Sequence, residues 1–360
     1  MPAHAAVHDV AIVAVLDEAQ RWRWRQALAV MSGLTLAVAF PTLDLEPLAW
    51  LGLVPLLLAV EGVPPRAAFG LGWLTGVTFF TAICYWLVYT IGHYTALPVP
   101  LAAGLLLLMS AVMACYHGVF AAGVRWFEDR GLPALWLAPP LWVALEWLRA
   151  WFFIPFPWGA LGYSQWLHHD LVQMAEVTGV YGVSAVLVFF NVVMAGVVQH
   201  HGAGVRRLLA PLVAVTLLMV ALPTIGRWRA EQILARPAAA QLRIGIAQGN
   251  VAQDQKWDPA FQAETMTRYH ALTRAAADAG AQLIIWPETA APFYFQEPGA
   301  MRDDVLALAR EKHVALLVGS PAFRQDPLTG ELLESNRAYL IGADGLERAT
   351  YDKMQLVPFG

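Results

Sequence analysis

Charge is the scarcest commodity in this sequence. Only 14% of its 360 residues are Asp, Glu, Lys or Arg and 58% are hydrophobic, against about 25% charged and about 45–50% apolar in a soluble domain. From Ala67 to Val124 no Asp, Glu, Lys or Arg occurs, a stretch long enough to cross a hydrocarbon core twice at about 20 residues per pass. A soluble core helix has no need of such a run, so the composition points to a membrane protein. Cysteine is nearly absent too. Cys84 and Cys115 are the only two, and both lie in apolar runs, which excludes a disulfide framework and a cysteine-based zinc site. The net charge of −4, with no run of like charge, leaves no basic footprint and argues against a nucleic-acid partner. No small-residue cleavage site follows the apolar stretch Val7 to Leu16, which is broken by His8 and Asp9, so the start of the chain reads as a cytoplasmic extension. There is no internal repeat.

Hydropathy marks seven candidate spans, at about 27–43, 47–60, 67–91, 98–124, 132–152, 177–199 and 208–226. The second is short and carries Pro47 and Pro55, which suits a tilted or broken helix. Arg21, Arg23 and Arg25, then Arg66, then Arg125 and Arg130, then Arg206 and Arg207 fall in alternate connections, and positive charge marks the cytoplasmic side. Arg149 is the exception. An odd number of spans then exports everything after Gly226.

Past Arg227 the pattern changes. Lys256 is the first lysine in the chain, and periods of 2 and 3.6 replace the long apolar runs. Residues 1–226 are therefore read as a helical membrane domain, 227–240 as a linker and 241–360 as a water-soluble α/β domain. Leu242 to Ala247 alternates like a strand, and Ala281 to Trp286 reads as a short buried strand. Between them Asp258-Pro259 caps a helix whose face carries Phe261, Thr265, Tyr269 and Leu272 and which ends at Gly280. A second cycle follows: a helix from Met301 to Lys312, strands at Val314 to Gly319 and Arg337 to Gly342, and a turn at Asp344-Gly345.

Two clusters in this domain carry chemistry. In Ile284-Ile285-Trp286-Pro287-Glu288 an apolar strand hands a carboxylate to its C-terminal edge, where α/β sites form. A glutamate fixed by proline beside Trp286 would sit in a partly dry place suited to a general base; the alternative is a solvated loop acid. In the segment from Tyr351 to Gly360, Lys353 precedes an apolar turn. There it would stabilise an oxyanion, whose charge appears only in the transition state; otherwise it is a surface lysine.

Trp286-Pro287-Glu288 followed by Lys353 resembles the glutamate and lysine of the nitrilase superfamily's Glu-Lys-Cys triad. Within that superfamily the order of apolar spans, Phe156-Pro157-Trp158, Gly162-Tyr163-Ser164-Gln165, Ala247-Gln248-Gly249-Asn250, Lys256-Trp257-Asp258-Pro259, Trp286-Pro287-Glu288 and Leu356-Val357-Pro358-Phe359-Gly360 resembles the apolipoprotein N-acyltransferases over nearly the whole chain. The resemblance implies an αββα sandwich facing the periplasm from the bacterial inner membrane, with no cofactor. It implies a phospholipid donor whose sn-1 acyl chain passes to a cysteine as a thioester, and then to the amino terminus of a diacylglyceryl-cysteine lipoprotein. Carried over by motif, Glu288 would be the base, Lys353 the oxyanion partner and Trp257 a residue lining the substrate entrance, though an interfacial tryptophan fits Trp257 as well. The sequence departs from the family pattern in having no cysteine after Cys115. The triad cysteine is therefore expected beyond Gly360, with closing strands and a final span, and the 360-residue chain alone is expected to be inactive. Cys84 and Cys115, inside spans, fit inert packing residues.

In the membrane part, Glu146 and Arg149 sit one turn apart at the outer end of the fifth span, as a functional pair or as an ion pair anchoring the next loop. His117 fits a hydrogen-bonded packing residue, and the pairs His168-His169 and His200-His201 fall on opposite sides of the membrane. Gly72 and Gly76 match the small-xxx-small pattern of close helix approach. Trp147, Trp151, Phe152, Phe153, Phe156, Trp158 and Trp166 form an aromatic belt or, with Trp158, the floor of a lipid portal. Two other functions stay open beside the acyltransferase: a membrane-tethered amidase and a non-catalytic scaffold.

Overall fold

A computed structural model describes residues 17–152, 155–199, 209–238, 240–252, 255–325 and 330–354. The apolar stretch before Asp17, Phe153, His200-His201, Arg206-Arg207 and the segment from Leu356 to Gly360 lie outside the described residues. The chain divides into two units, 1–236 and 237–360.

The first unit is helical. Helix α1 (Glu18–Val38) starts at a capping box in which Asp17 and Gln20 satisfy each other's backbone N–H groups. The second apolar segment is broken, as its prolines suggest: a 3₁₀ turn (Glu46–Trp50) is followed by the short α2 (Val54–Ala59). The third bends by 60° between α3 (Pro65–Ile83) and α4 (Leu87–Thr95). Among the described residues the further α-helices are α5 (Val99–Asp129), α6 (Ala134–Trp151), the four-residue α7 (His169–Val172), α8 (Ala175–Gln199) and α9 (Leu209–Leu234). Among the described residues α5, α8 and α9 are long and apolar enough to cross a membrane, and α3 with α4 make a fourth if the bent pair is one span.

Small residues set the α3–α5 contact. A Cβ on Gly72 would fall 2.4 Å from the His117 carbonyl oxygen, and one on Gly76 would fall 2.7 Å from Ala114 Cα, so this close approach tolerates no side chain at either position. At one end of the unit Arg25 donates to the Glu61 carbonyl at 2.8 Å and Arg125 to that of Val63 at 3.1 Å. Two of the arginines that share a side by sequence thus meet one turn.

Among the described residues the second unit holds one five-stranded mixed sheet in the order β1-β2-β3-β4-β5. Strands β1 (Ile244–Ile246), β2 (Leu283–Ile285) and β3 (Ala315–Gln325) run parallel, linked through α10 (Gln262–Asp278) and α11 (Ala300–Lys312). Strands β4 (Leu332–Ile341) and β5 (Glu347–Asp352) add antiparallel. Buried Ile284, Leu316 and Val318 share a core with Val305 and Ala309 of α11 and Met266 and Tyr269 of α10. The hydrophobic effect at about 25 cal/mol per Å² holds such layers together. Apolar-run strands flanked by helices are what a parallel sheet covered on its faces requires.

Candidate active site

Strand β2 ends because Pro287 has no N–H to continue the ladder. Trp286 makes the last rung, its N–H donating to the Leu317 carbonyl at 2.8 Å. Its ring is buried, stacks on Tyr269 at 4.9 Å and donates Nε1–H to Thr273 at 2.9 Å. Glu288 follows at the edge of the sheet, and Thr289 takes a φ of 50°. The turn is pressed onto β3 at Gly319, where a Cβ would sit 2.3 Å from the Pro287 carbonyl oxygen. Glycine is therefore required at that position.

Lys353 arrives from the other side of the sheet. Arg337 and Asp352 are directly paired across β4 and β5, and the guanidinium donates to both carboxylate oxygens at 2.6 and 2.8 Å. Those hydrogen bonds hold the Asp352 carboxyl below, and the Arg337 guanidinium above, their ordinary values. This register sets residue 353 opposite Asn336, whose carbonyl accepts the Lys353 N–H at 2.9 Å. The Lys353 ammonium then reaches Glu288 Oε1 at 2.9 Å.

Asn336 has a second function here. Its Nδ2 donates to the same Oε1 of Glu288 at 2.9 Å, so one residue orients the carboxylate by its side chain and the lysine by its backbone. Both donors share Oε1, and Oε2 accepts no hydrogen bond among the described residues. Lys256 closes the turn from a third side, its ammonium 3.2 Å from the Glu288 carbonyl oxygen. Burial pushes the Lys256 ammonium below the ordinary lysine value, and the charge of Glu288 opposes that shift.

Glu288, Asn336 and Lys353 line a cavity of about 360 Å³. Asn336 also lines a neighbouring cavity of about 370 Å³ with Trp257, Phe293 and Tyr294. Trp257 is half exposed beside Lys256, whose ammonium lies 5.7 Å from the indole centroid. The Glu288 side chain is 58% exposed. The dry surroundings expected from Trp286 are thus not present, because that indole is used up in the core under α10. The arrangement supplies a carboxylate with one oxygen that accepts no hydrogen bond among the described residues and a cation at hydrogen-bond distance; residues 116–360 hold no thiol.

Two family models match the sequence: the N-terminal domain of apolipoprotein N-acyltransferase over residues 32–193 and carbon-nitrogen hydrolase over residues 238–360. Apolipoprotein N-acyltransferase of Geobacter metallireducens is 40% identical over 92% of this chain and 64% of its own length. The proteins of that name from Coxiella burnetii and Azotobacter vinelandii are 30% and 35% identical over 92% of this chain, and 66% and 63% of their own lengths. The chain belongs to the apolipoprotein N-acyltransferase family. It joins a helical membrane region to a nitrilase-like domain, and it spans just under two thirds of the length of these relatives.

For this family member, sequence motifs pointed to Glu288, Lys353 and Trp257, and the fold brings the first two into contact with Trp257 one cavity away. Asn336 was not found from sequence, although an asparagine inside a strand, where that residue is depleted, is a usable signal. In the sequence Lys256 stands out only as part of Lys256-Trp257-Asp258-Pro259. Trp158 belongs to the helical unit, where it is half exposed and packs 5.1 Å from Trp86 and 5.8 Å from Phe156.

The other polar candidates in that unit resolve differently. Glu146 and Arg149 are both buried and their charges act on each other, without a direct salt-bridge contact. Glu146 Oε1 instead accepts from Trp142 Nε1 and from the Leu161 N–H, each at 2.7 Å, so it anchors the loop after α6 directly. His117 is buried against Phe79, Phe80 and Trp142 with neither ring nitrogen hydrogen-bonded; it packs, without the hydrogen bond expected of it. Cys84 is buried at the α3–α4 bend, while Cys115 is exposed on α5. Trp147, Trp151, Phe152, Trp158 and Trp166 are exposed, as an aromatic belt requires.

Proposed function

We propose that this chain serves the transfer of an acyl chain from a phospholipid to the N-terminal amine of a diacylglyceryl-cysteine lipoprotein, by way of a cysteine thioester. The observation that carries the reading is the Lys353–Glu288 contact at 2.9 Å beside a cavity of about 360 Å³, in a chain of this family. Glu288 takes the thiol proton on its open Oε2 as sulfur attacks the ester carbonyl. The S–C bond forms, Lys353 balances the oxyanion, the ester C–O bond breaks, and the lysophospholipid leaves with the proton. In the second half the amine attacks the thioester, its proton goes to Glu288, and the C–S bond breaks to return the thiol. No cofactor enters. Asn336 and Lys256 are positioning residues, and Trp257 lines the entrance to the acyl site.

In this reading the end of the helical unit where Arg25 and Arg125 meet the 61–63 turn faces the cytoplasm, which the positive-inside tendency supports. This reading takes the number of crossings before the nitrilase-like domain to be odd, so that the domain faces the periplasm from the inner membrane. In this reading Trp158 and the aromatic residues around it form the floor of a portal that keeps the donor's chains in the bilayer.

The reaction class is tested with this chain joined to the part of the Geobacter metallireducens relative beyond the aligned region, incubated with phospholipid labelled on its sn-1 chain. Label on the enzyme as a thioester, chased onto a diacylglyceryl-cysteine peptide, supports the proposal. Amide hydrolysis without lipid labelling would instead identify a membrane-tethered amidase, and neither activity would identify a scaffold. The 360-residue chain by itself is expected to take up no label.

A further inference from the structure

Helix α6 turns two charges inward, one helical turn apart. Glu146 and Arg149 are 5% and 2% exposed, and they meet the protein differently. Glu146 Oε1 takes the Trp142 and Leu161 N–H groups, whereas Oε2 is buried and accepts no hydrogen bond among the described residues. The nearby Ser184 hydroxyl is engaged elsewhere, accepting the Gly162 N–H at 2.9 Å. The Arg149 guanidinium lies 5.0 Å from the Phe80 ring centroid and donates no hydrogen bond among the described residues; Glu146 is the carboxylate whose charge acts on it. On α5, both ring nitrogens of the buried His117 are likewise without a partner among the described residues.

Glu146, Arg149 and His117 line one cavity, with Trp142 and Gly159. The space it leaves for a water molecule is about 10 Å³, close to what one water needs. The walls select the occupant. Arg149 repels a metal cation, and Glu146 repels an anion. An apolar group would leave all three side chains unpaired, at the full desolvation cost of each. Water suits every one of them: its oxygen accepts from an Arg149 N–H, and its two hydrogens go to Glu146 Oε2 and to the unprotonated nitrogen of the imidazole. That makes three hydrogen bonds, the usual number for a buried water.

We propose that a single water molecule is bound between α5 and α6, bridging Glu146 Oε2, Arg149 and His117. The bridge accounts for a buried acid and base that lie one turn apart on a helix without touching. A direct salt bridge would compete with Trp142 and Leu161 for the carboxylate. With water on Oε2, one carboxylate fastens the loop after α6 through Oε1 and compensates the buried guanidinium through Oε2. The site belongs to the helical unit, and the inference does not rest on the acyl-transfer reading.

The test uses the 360-residue chain. A structure in nanodiscs, at a resolution that shows ordered solvent, is expected to hold one water within hydrogen-bond distance of Glu146 Oε2, an Arg149 nitrogen and a His117 nitrogen. Two substitutions read the same site in detergent by circular dichroism. His117→Phe keeps a ring in place and removes both nitrogens, so it is expected to lower the helical melting temperature by about 2–4 °C, the shift that one lost hydrogen bond brings in a domain of this size. Ser110→Ala is the control. Ser110 is buried on the same helix, its hydroxyl has no partner among the described residues and it does not line the cavity, so its removal should leave the melting temperature unchanged or raise it. Direct contact between Glu146 and Arg149, an ion in the cavity or no solvent peak at the site would overturn the proposal. So would a His117→Phe chain that melts at or above the parent temperature, the result expected if His117 only packs. Should His117→Phe fail to fold, the solvent peak in the unsubstituted chain decides.

Discussion

Gly319→Ala is the substitution from which the site geometry predicts most. The new methyl would sit 2.3 Å from the Pro287 carbonyl oxygen, 2.8 Å from the Thr289 nitrogen and 2.9 Å from Glu288 Cα. All three are backbone atoms, so no side chain can swing away. Carbon–oxygen contacts settle at about 3.3–3.6 Å, and the turn must retreat by about 1 Å. Overpacking of this kind costs about 1–3 kcal/mol. The retreat carries Glu288 with it, while Lys353 stays fixed to Asn336 through its backbone. A 2.9 Å hydrogen bond stretched by that amount is no longer one. Two readouts on the 360-residue chain in detergent follow. The melting temperature of the nitrilase-like unit, followed by tryptophan fluorescence, is expected to fall. Acetylation of Lys353 by a small reagent, followed by mass spectrometry, is expected to quicken as its carboxylate partner is lost. Gly299→Ala is the control, because nothing lies within 4 Å of its Cβ position, and it should change neither. A Gly319→Ala chain that melts and acetylates like the parent would refute the claim that this contact positions Glu288.

In the helical unit, Glu146→Leu leaves the Trp142 Nε1–H and the Leu161 N–H without an acceptor, at about 1–3 kcal/mol per buried donor; Glu146→Gln, which keeps an acceptor, should melt nearer the parent in detergent. Gly76→Val should separate α3 from α5 and lower the helical melting transition, whereas Gly104→Val, with open space at its Cβ position, should not. The Arg337–Asp352 pair sets a pH dependence. The Asp352 carboxyl lies below its ordinary 3.8 in the folded chain, so its contribution is full above that value and is lost as pH falls through the lower folded value. The stability gap between the parent and Asp352→Asn should therefore stay constant from about pH 7 to about pH 5 and close in stronger acid, as urea titrations at each pH would show.

The parts of this molecule legible in its sequence are those written in local pattern. The charge-free run, the Asp258-Pro259 cap, the apolar strand closing at Trp286-Pro287 and the paired glycines of α3 each depend on residues within a few positions of one another. What escaped depends on pairing across distance. Strand β5 (Glu347–Asp352) is polar and mostly exposed, with no apolar alternation to announce it, yet its register delivers Lys353 to Glu288. Asn336 matters only because β4 lies between that strand and β3. The 60° bend after Ile83 has neither proline nor glycine at Cys84-Tyr85-Trp86 to mark it, so residues 67–91 read as one span. The exposure of Glu288 was missed for a related reason. A neighbouring tryptophan suggests dryness only if its ring faces the carboxylate, and hydrogen bonding to Thr273 on α10 commits this one to the core.

The central claim is that Glu288 and Lys353 act as base and oxyanion partner for a cysteine that forms an acyl thioester. Single-turnover thioester formation tests it most directly, using the chain joined to the remaining part of the Geobacter metallireducens relative. The rate is expected to fall by about 10²–10⁴ in Glu288→Gln and by about 10²–10³ in Lys353→Met, with the fold and phospholipid binding retained. Thioester formation at the parental rate in either variant would contradict the account.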